Sequence, residues 1–553
     1  MSRASTSLFA AGGVALLVLG PVVGVAACSA GSNHGGGFGG SGGSSGTHHT
    51  GTLGNGGSTA DFTTGPSMTT GTGDPVTCAQ AAASHSYIGC DFWPTVVNNS
   101  VWSLFDFGVV VANASDQVVN VTVQRQGSNV QTAQVQPNSL TTLYLPWVTD
   151  LKGGDNQCGI PPGTGPSVMS VGGGYHLTTD HPVTVYQFNA LEYAGMGGPP
   201  GKSWASCPGN ACGLGCYSFS NDASLLLPTT AMTPNYRITG HQGQTSLGPY
   251  IAITGTADGT MVTVKLAATA NVQAGGPIPA GSAGGSVQFS LNTGDVAELF
   301  GTDTSDFSGS LVTASKPVQV ITGTPCTNEP AGQSACDHTE ESVFPAETLG
   351  SHYFVVRPSG PNLNVVGQIV KIYGNIDGTS LTYPSGSQPP GAPTTINAGQ
   401  VVDLGVVQQD FEIKGDHEFA ISTFMLGASV VDPSTPIPNQ KGDPSQSLPT
   451  AVEQYRTKYI FLAPTDYPVN FVSVVQPMNA AVMIDGVAGP MPAQIGTSGY
   501  GVARIELAAG NNGAHVLESN QPVGIDVMGY GSYTSYEYPG GLDLKLIAPP
   551  PPK

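Results

Sequence analysis

Beyond about residue 75 the chain reads as short runs of alternating or continuous apolar residues broken by polar turns. FGVVVANASDQVVNVTVQ (107–124), YIAITGTADGTMVTVKL (250–266), IVKIYGNIDGTSLTY (369–383) and FVSVVQPMNAAVMIDG (471–486) each set two such runs around a turn. Asp258-Gly259 and Asp377-Gly378 are hairpin signals, because glycine supplies the positive φ that a tight turn needs. HLTTDHPVTVYQF, LVTASKPVQVITG, FEIKGDHEFAISTF and HVLESNQPVGIDVMGY each predict a strand, a polar turn and a second strand. Pro182, Pro317 and Pro522 open that second strand, where a missing N–H is tolerated, and Glu418 takes the place in the third. Helical periodicity is nearly absent. Short strands at roughly ten-residue spacing, punctuated by Gly, Pro and Asn, predict an all-β chain.

The pattern recurs about four times. WPTVVNNSVW (Pro94, Trp102), LPTTAMTPNY (Pro228, Tyr236), FPAETLGSHY (Pro345, Tyr353) and LPTAVEQYRTKY (Pro449, Tyr459) each lead into one of the strand pairs. We therefore expect tandem β-sandwich-like repeats over 76–220, 221–335, 336–441 and 442–548, with a Pro-rich tail at 549–553. The alternative is one larger β-assembly in which the repeats share sheets. Residues 28–75 are Gly, Ser and Thr with a few His, too poor in apolar surface to fold. They predict a disordered, flexible tether reaching roughly 35–40 Å.

Composition narrows the partners. The chain has 553 residues, Lys+Arg 16 against Asp+Glu 36, and a net charge of −20. A basic face for nucleic acid is excluded on those numbers, as is an electrostatic hold on anionic lipid. Residues 1–27 carry Arg3, an apolar run and small residues, the plan of a secretory signal. Val25-Ala26-Ala27-Cys28 resembles a bacterial lipobox, which implies cleavage before Cys28, lipidation of that residue, and a membrane partner through the acyl chains. Ser29 follows it, favouring the outer membrane or cell surface of a bacterium.

Eight cysteines remain, an even number that suits disulfides in an exported chain. Cys78 with Cys90 and Cys326 with Cys336 are the local pairs. Cys158 joins one of Cys207, Cys212 and Cys216, and the other two pair together; the sequence leaves that choice open. The spacing of the last three matches no usual zinc module.

CTNEPAGQSACDHTEESVFP (326–345) gathers two cysteines, His338 and four acids in a chain that is only 9% charged. The first reading is a stapled loop. The second is a Ca²⁺ site of Asp337, Glu340 and Glu341, with Glu329 in reach, although the spacing is not that of an EF-hand. The third is a surface hydrolase with His338 as base. Outside the Gly/Ser-rich tether no G-x-S-x-G is present, and the chain has no H-E-x-x-H or Walker loop, so no catalytic residue and no cofactor is expected. Asp180-His181 and Asp416-His417 fall in matching turns and predict a structural role. Tyr530, Tyr533, Tyr536 and Tyr538 offer either a contact surface for protein or glycan or an aromatic strand packed on the last repeat.

CDHTEESVFPAETLGSHYFVVRP (336–358) and GDPSQSLPTAVEQYRTKYIFLAPTDY (442–467), with LLLPTTAM and TASKPVQVITG between fitting distances, resemble the N-terminal domain of the IgG Fc-binding proteins. The resemblance covers about 221–544. It implies an extracellular, non-catalytic binding module and offers no catalytic residue. Self-cleaving Gly-Asp-Pro-His sequences occur in other domains of that family; here Ser445 stands in the histidine's place, so Gly442-Asp443-Pro444-Ser445 predicts no autocleavage. The expected protein is an exported lipoprotein that binds or adheres to an extracellular protein or glycan, with a structural coat protein as another alternative.

Overall fold

In a computed structural model of the chain, residues 74–552 are described apart from 245, 334 and 509–512. The signal, Cys28 and the tether up to residue 73 lie outside the described residues. The fold is all-β, and it repeats one plan four times.

The second module shows the plan most plainly. Its inner sheet runs Asp337–Ser342, Val318–Thr327, Tyr250–Gly255 and Val296–Phe300, with Val168–Ser170 added at the edge. Its second sheet runs Asn235–Arg237, Leu311–Ala314, Thr260–Lys265 and Ser286–Leu291. Ile251, Ile253, Leu299 and Val320 from the first meet Val262, Val264, Phe289 and Val312 from the second in one core. The expected β-sandwich character is therefore present in each unit. In the third module, Gln446–Ser447, Phe419–Phe424, Gln368–Gly374 and Val401–Val407 repeat the inner order, and His352–Val355, Phe411–Gly415, Thr379–Thr382 and Thr395–Ile396 the second.

The first and fourth modules follow the same order with one change. Their closing segments form single long strands, His176–Asn189 and Ala514–Gly531, that pass from one sheet to the other. The register shifts where Gly89 pairs with Val183 but Asp91 with Thr178, and where Arg456 pairs with Val523 but Lys458 with Glu518. Pro182 and Pro522 sit at these crossings, where a ladder bond is missing anyway.

Burial explains the two kinds of apolar pattern. Phe107–Asn113, Tyr250–Gly255 and Gln368–Gly374 are buried at every position, because an inner sheet packs on its own second sheet and on a neighbouring module. Ser286–Leu291 alternates exposed and buried, because a second sheet has one wet face. The strands Ala223–Leu226, Asp337–Ser342, Gln446–Ser447 and Thr534–Pro539 contact one another around a common axis, giving a four-bladed, propeller-like arrangement. We call these the axial strands.

Two features of the repeat differ from its sequence outline. Cutting at 221, 336 and 442 would give the first three axial strands to the following unit, whereas hydrogen bonding joins each to the preceding sheet; the fourth, Thr534–Pro539, stays with its own sheet. Pro94 and Trp102 also have no counterpart role: the opening strand of the first module is Gly89–Phe92, ahead of Pro94. In the other three modules a tyrosine locks the opening strand. Tyr236, Tyr353 and Tyr459 accept the N–H of Thr233, Gly350 and Arg456 and donate to the carbonyls of Val318, Phe419 and Val523. Trp102 instead bonds the carbonyl of Asn156.

Candidate functional site

Each axial strand ends at a proline: Pro228, Pro345 and Pro449 follow theirs, and Pro539 closes the fourth. This polarity gives the axis two ends. At the proline end the chain enters and leaves. At the other end stand the loops that precede the axial strands, 190–222, 328–336 and 425–445, and the tight turn at 531–534. Three of the four disulfides staple segments at this loop face: Cys158–Cys212, Cys207–Cys216 and Cys326–Cys336. Cys78–Cys90 lies toward the opposite end, where Gly89 passes so close to Pro228 that a Cβ would collide with the proline ring. The pairing of Cys158 with Cys212 resolves the choice that spacing left open.

The axis is polar and dry. Asp222 is fully buried at its centre. Its Oδ2 accepts the backbone N–H of Glu340 and of Gln446, each at 3.0 Å, and its Oδ1 accepts Ala223 at 2.9 Å and Glu537 at 3.4 Å. One carboxyl thus ties together the axial strands of all four modules. Burial pushes it well above the usual carboxylate range, and the four amides oppose that shift. Nearby, Ser224 donates to Glu341 Oε1 at 2.9 Å, and Ser447 donates to Asp526 at 2.8 Å.

The acids and histidine of the 326–345 stretch are here, but not as a solvent-facing site. Asp337, His338, Glu340 and Glu341 all have no exposed surface. Burial pushes His338 down to about 3, so it is uncharged at neutral pH. Its ring stacks on Tyr250, and Asn189 Nδ2 lies 3.3 Å from its Nε2. The hydrolase expectation needs a base open to substrate; a strand buried along its whole length provides none. The Ca²⁺ set also comes apart. Asp337 bonds Asn221 and Thr534, Glu340 bonds Gln187, and Glu341 bonds Ser224, because neighbours along a strand point to opposite sides. Glu329 pairs with His241 instead. Among the described residues no group of three or more His, Cys, Asp or Glu is placed to hold a metal ion.

The four tyrosines are interior too, which corrects their reading as a contact surface. Tyr530, Tyr536 and Tyr538 are fully buried and Tyr533 is 5% exposed. Tyr536 and Tyr538 pack against Phe188, and Tyr538 against Tyr186, sealing the fourth module onto the first. Asp416 sits in a turn as expected and accepts the N–H of Ser380, whereas Asp180 lies within the long strand His176–Asn189, where no turn forms, and accepts the N–H of Asn120. Sequence reasoning missed Asp222, Asn221 and Asp443. The signal was available: polar residues five to seven positions before Pro228 and Pro449, where a core strand should be apolar.

Exposed apolar side chains mark the loop face. Met196 is 60% exposed, Leu363 66% and Ile437 70%. Hydrogen bonds and ring contacts tie their loops together, both within modules and across them. Asn362 donates to Asp432 at 2.7 Å; Tyr533 donates to the Ile437 carbonyl; Ser532 donates to the Tyr193 hydroxyl at 2.8 Å; and Tyr193 packs on Tyr217 at 5.5 Å. Gly195, beside Met196, donates to the Cys216 carbonyl at 2.8 Å. Lys202 bridges Asp106 and Glu192 in the same stapled loop.

An all-β frame of four sandwich-like modules around a buried polar axis, with its loops stapled at one end, defines a class: a disulfide-bonded, four-bladed β protein. The particular family follows from comparison. The IgGFc binding protein family model matches residues 222–529, more than half of the chain, and the chain belongs to that family. A human relative, "IgGFc-binding protein" of Homo sapiens, is 28% identical over 188 residues, 34% of this chain. That match spans only 3% of the human protein's length. No solved structure matches the chain. Among the described residues no helix is long and apolar enough to cross a membrane.

Proposed function

We propose that this is a non-catalytic binding protein, exported and held at the cell surface by lipid on Cys28, that engages an extracellular protein or glycan through its loop face. The observation carrying this reading is the concentration of disulfide staples at that end, with Met196, Leu363 and Ile437 exposed beside them. Loops held on a rigid scaffold are where binding residues collect, and disulfides cut the ordering cost of presenting them. Four disulfides suit an oxidising compartment. Membership of the family supports binding as the role. The human relative's name points to immunoglobulin Fc as the first ligand to try.

The test uses the full-length chain, with immobilised IgG Fc, extracellular-matrix proteins and a glycan array as probes. A ligand bound by the wild type should lose at least tenfold affinity with Ile437→Asp or Leu363→Asp. Val487→Asp, equally exposed at 70% but on a second sheet, should leave it unchanged. Absence of binding across the panel, or binding insensitive to both loop-face variants, would refute the proposal.

A further inference from the structure

At the loop-face end of the axis, each module contributes one polar side chain. Asn221 comes from the first module, Asp337 from the second, Asp443 from the third and Thr534 from the fourth. Asn221 donates its N–H to Asp337 Oδ1 at 3.0 Å. Thr534 donates to Asp337 Oδ2 at 2.8 Å and lies 3.2 Å from Asn221 Oδ1. The next residue, Ser535, donates to the carbonyl of Asp443. Asp337 and Asp443 therefore flank the same dipeptide of the fourth axial strand.

Asp443 is the anomaly. It has no exposed surface, and neither of its carboxylate oxygens has a hydrogen-bond partner. Asp222, equally buried, is met by four amides; at Asp443 nothing offsets burial. The Asp443 charge also falls on Asp337 and raises it further. An unpartnered buried carboxylate costs several kcal/mol. A proton removes the charge but does not give both oxygens a partner. A hard cation does. With ligand distances of roughly 2.3–2.6 Å on each side, such an ion can bridge two neighbouring carboxylates.

We propose that one Ca²⁺-class cation binds at this end of the axis, ligated by Asp337 and Asp443, with the Asn221 amide oxygen and the Thr534 hydroxyl as neutral partners. The donor set is all oxygen, as such an ion requires. Two carboxylates and neutral oxygens make a weak, extracellular type of site. The ion fastens four modules directly beneath the loop face. This inference stands apart from the ligand reading above, since it concerns the ion alone.

The experiment is titration of CaCl₂ into the chelator-stripped full-length protein by calorimetry, with Tb³⁺ as a luminescent substitute. Tyr467 is close enough to Asp337 to feel its charge and packs on Tyr536 at 4.9 Å, so tyrosine excitation should sensitise Tb³⁺. One site per chain with a Kd of about 10⁻⁴–10⁻³ M is expected, with a melting temperature that rises with Ca²⁺. Asp443→Asn should lose at least tenfold affinity and the Tb³⁺ signal, yet melt no lower than wild type without Ca²⁺, because the unpartnered carboxylate is gone. Asp337→Asn provides a second reading of the same loss. No saturable binding up to about 10 mM Ca²⁺, or equal binding by wild type and Asp443→Asn, would overturn the proposal.

Discussion

Replacing Asp222 by Asn tests the claim that one side chain holds the four modules together. The carboxylate serves four amides, two on each oxygen. An amide side chain keeps one oxygen and turns the other into a donor. The oxygen should settle on the Glu340 and Gln446 amides, both at 3.0 Å, leaving Ala223 and Glu537 facing an NH₂ group. A buried donor left unsatisfied costs about 1–3 kcal/mol. The Glu537 bond, at 3.4 Å, is already weak. The neutral amide escapes the burial penalty of the carboxylate, which offsets part of the rest, so a net loss of about 2–3 kcal/mol is expected. Because a chain of four modules need not unfold in one step, the assay is hydrogen exchange followed by mass spectrometry. Peptides covering 223–226, 337–342, 446–447 and 534–539 should exchange roughly 30–150-fold faster, as 1.4 kcal/mol corresponds to a factor of ten. The peptide covering 286–291, in a second sheet, should be unaffected. Unchanged exchange in the axial peptides, or equal acceleration in every sheet, would refute the reasoning.

Tyr353→Phe removes both the acceptor for Gly350 and the donor to Phe419, and should lower stability by about 1–3 kcal/mol; a urea midpoint equal to wild type would contradict the lock. Tyr236→Phe and Tyr459→Phe should behave alike, because their contacts repeat. Removing Cys158–Cys212 by double serine substitution opens a link with a sequence separation of 54, worth about 4 kcal/mol in the chain-entropy model; limited proteolysis should then cut within 195–217 while the sheets survive. Glu192 is pushed up to about 8 by burial and by Asp106, and Asp526 up to about 6 by burial. A raised acid binds more protons folded than unfolded, so its contribution is fully present below the unfolded pKa and is lost as pH rises through the folded one. In chelator, the melting temperature should therefore fall from pH 5 to pH 8, and Glu192→Gln should flatten that slope.

The repeat was legible because strand periodicity is local. Asp-Gly turns, prolines at the second closing strand and a tyrosine eight residues after Pro228 and Pro345 all act within a few positions. What lay beyond it depended on three dimensions. DHTEES reads as a charged loop, and only the meeting of four strands makes it a core. Tyr536 and Tyr538 carry the same composition whether they face water or Phe188 and Tyr186. Cys212 and Cys216 are equally available to Cys158 in one dimension, and the path of 190–217 decides between them. The first three axial strands were assigned to the wrong neighbour because a proline marks where such a strand ends, not which sheet it joins.

At the proline end, Arg456 of the fourth module pairs with both Asp74 and Asp543, and its guanidinium lies 5.0 Å from the centre of the Tyr87 ring. Start and finish of the folded unit are thus buckled to a single cation. Tension arriving through residue 74 would load that buckle first, and the Cys78–Cys90 bond behind it would shield the sheets from being peeled strand by strand. Single-molecule pulling from the two termini should show an early, small rupture that Arg456→Ala abolishes, well before any blade gives way.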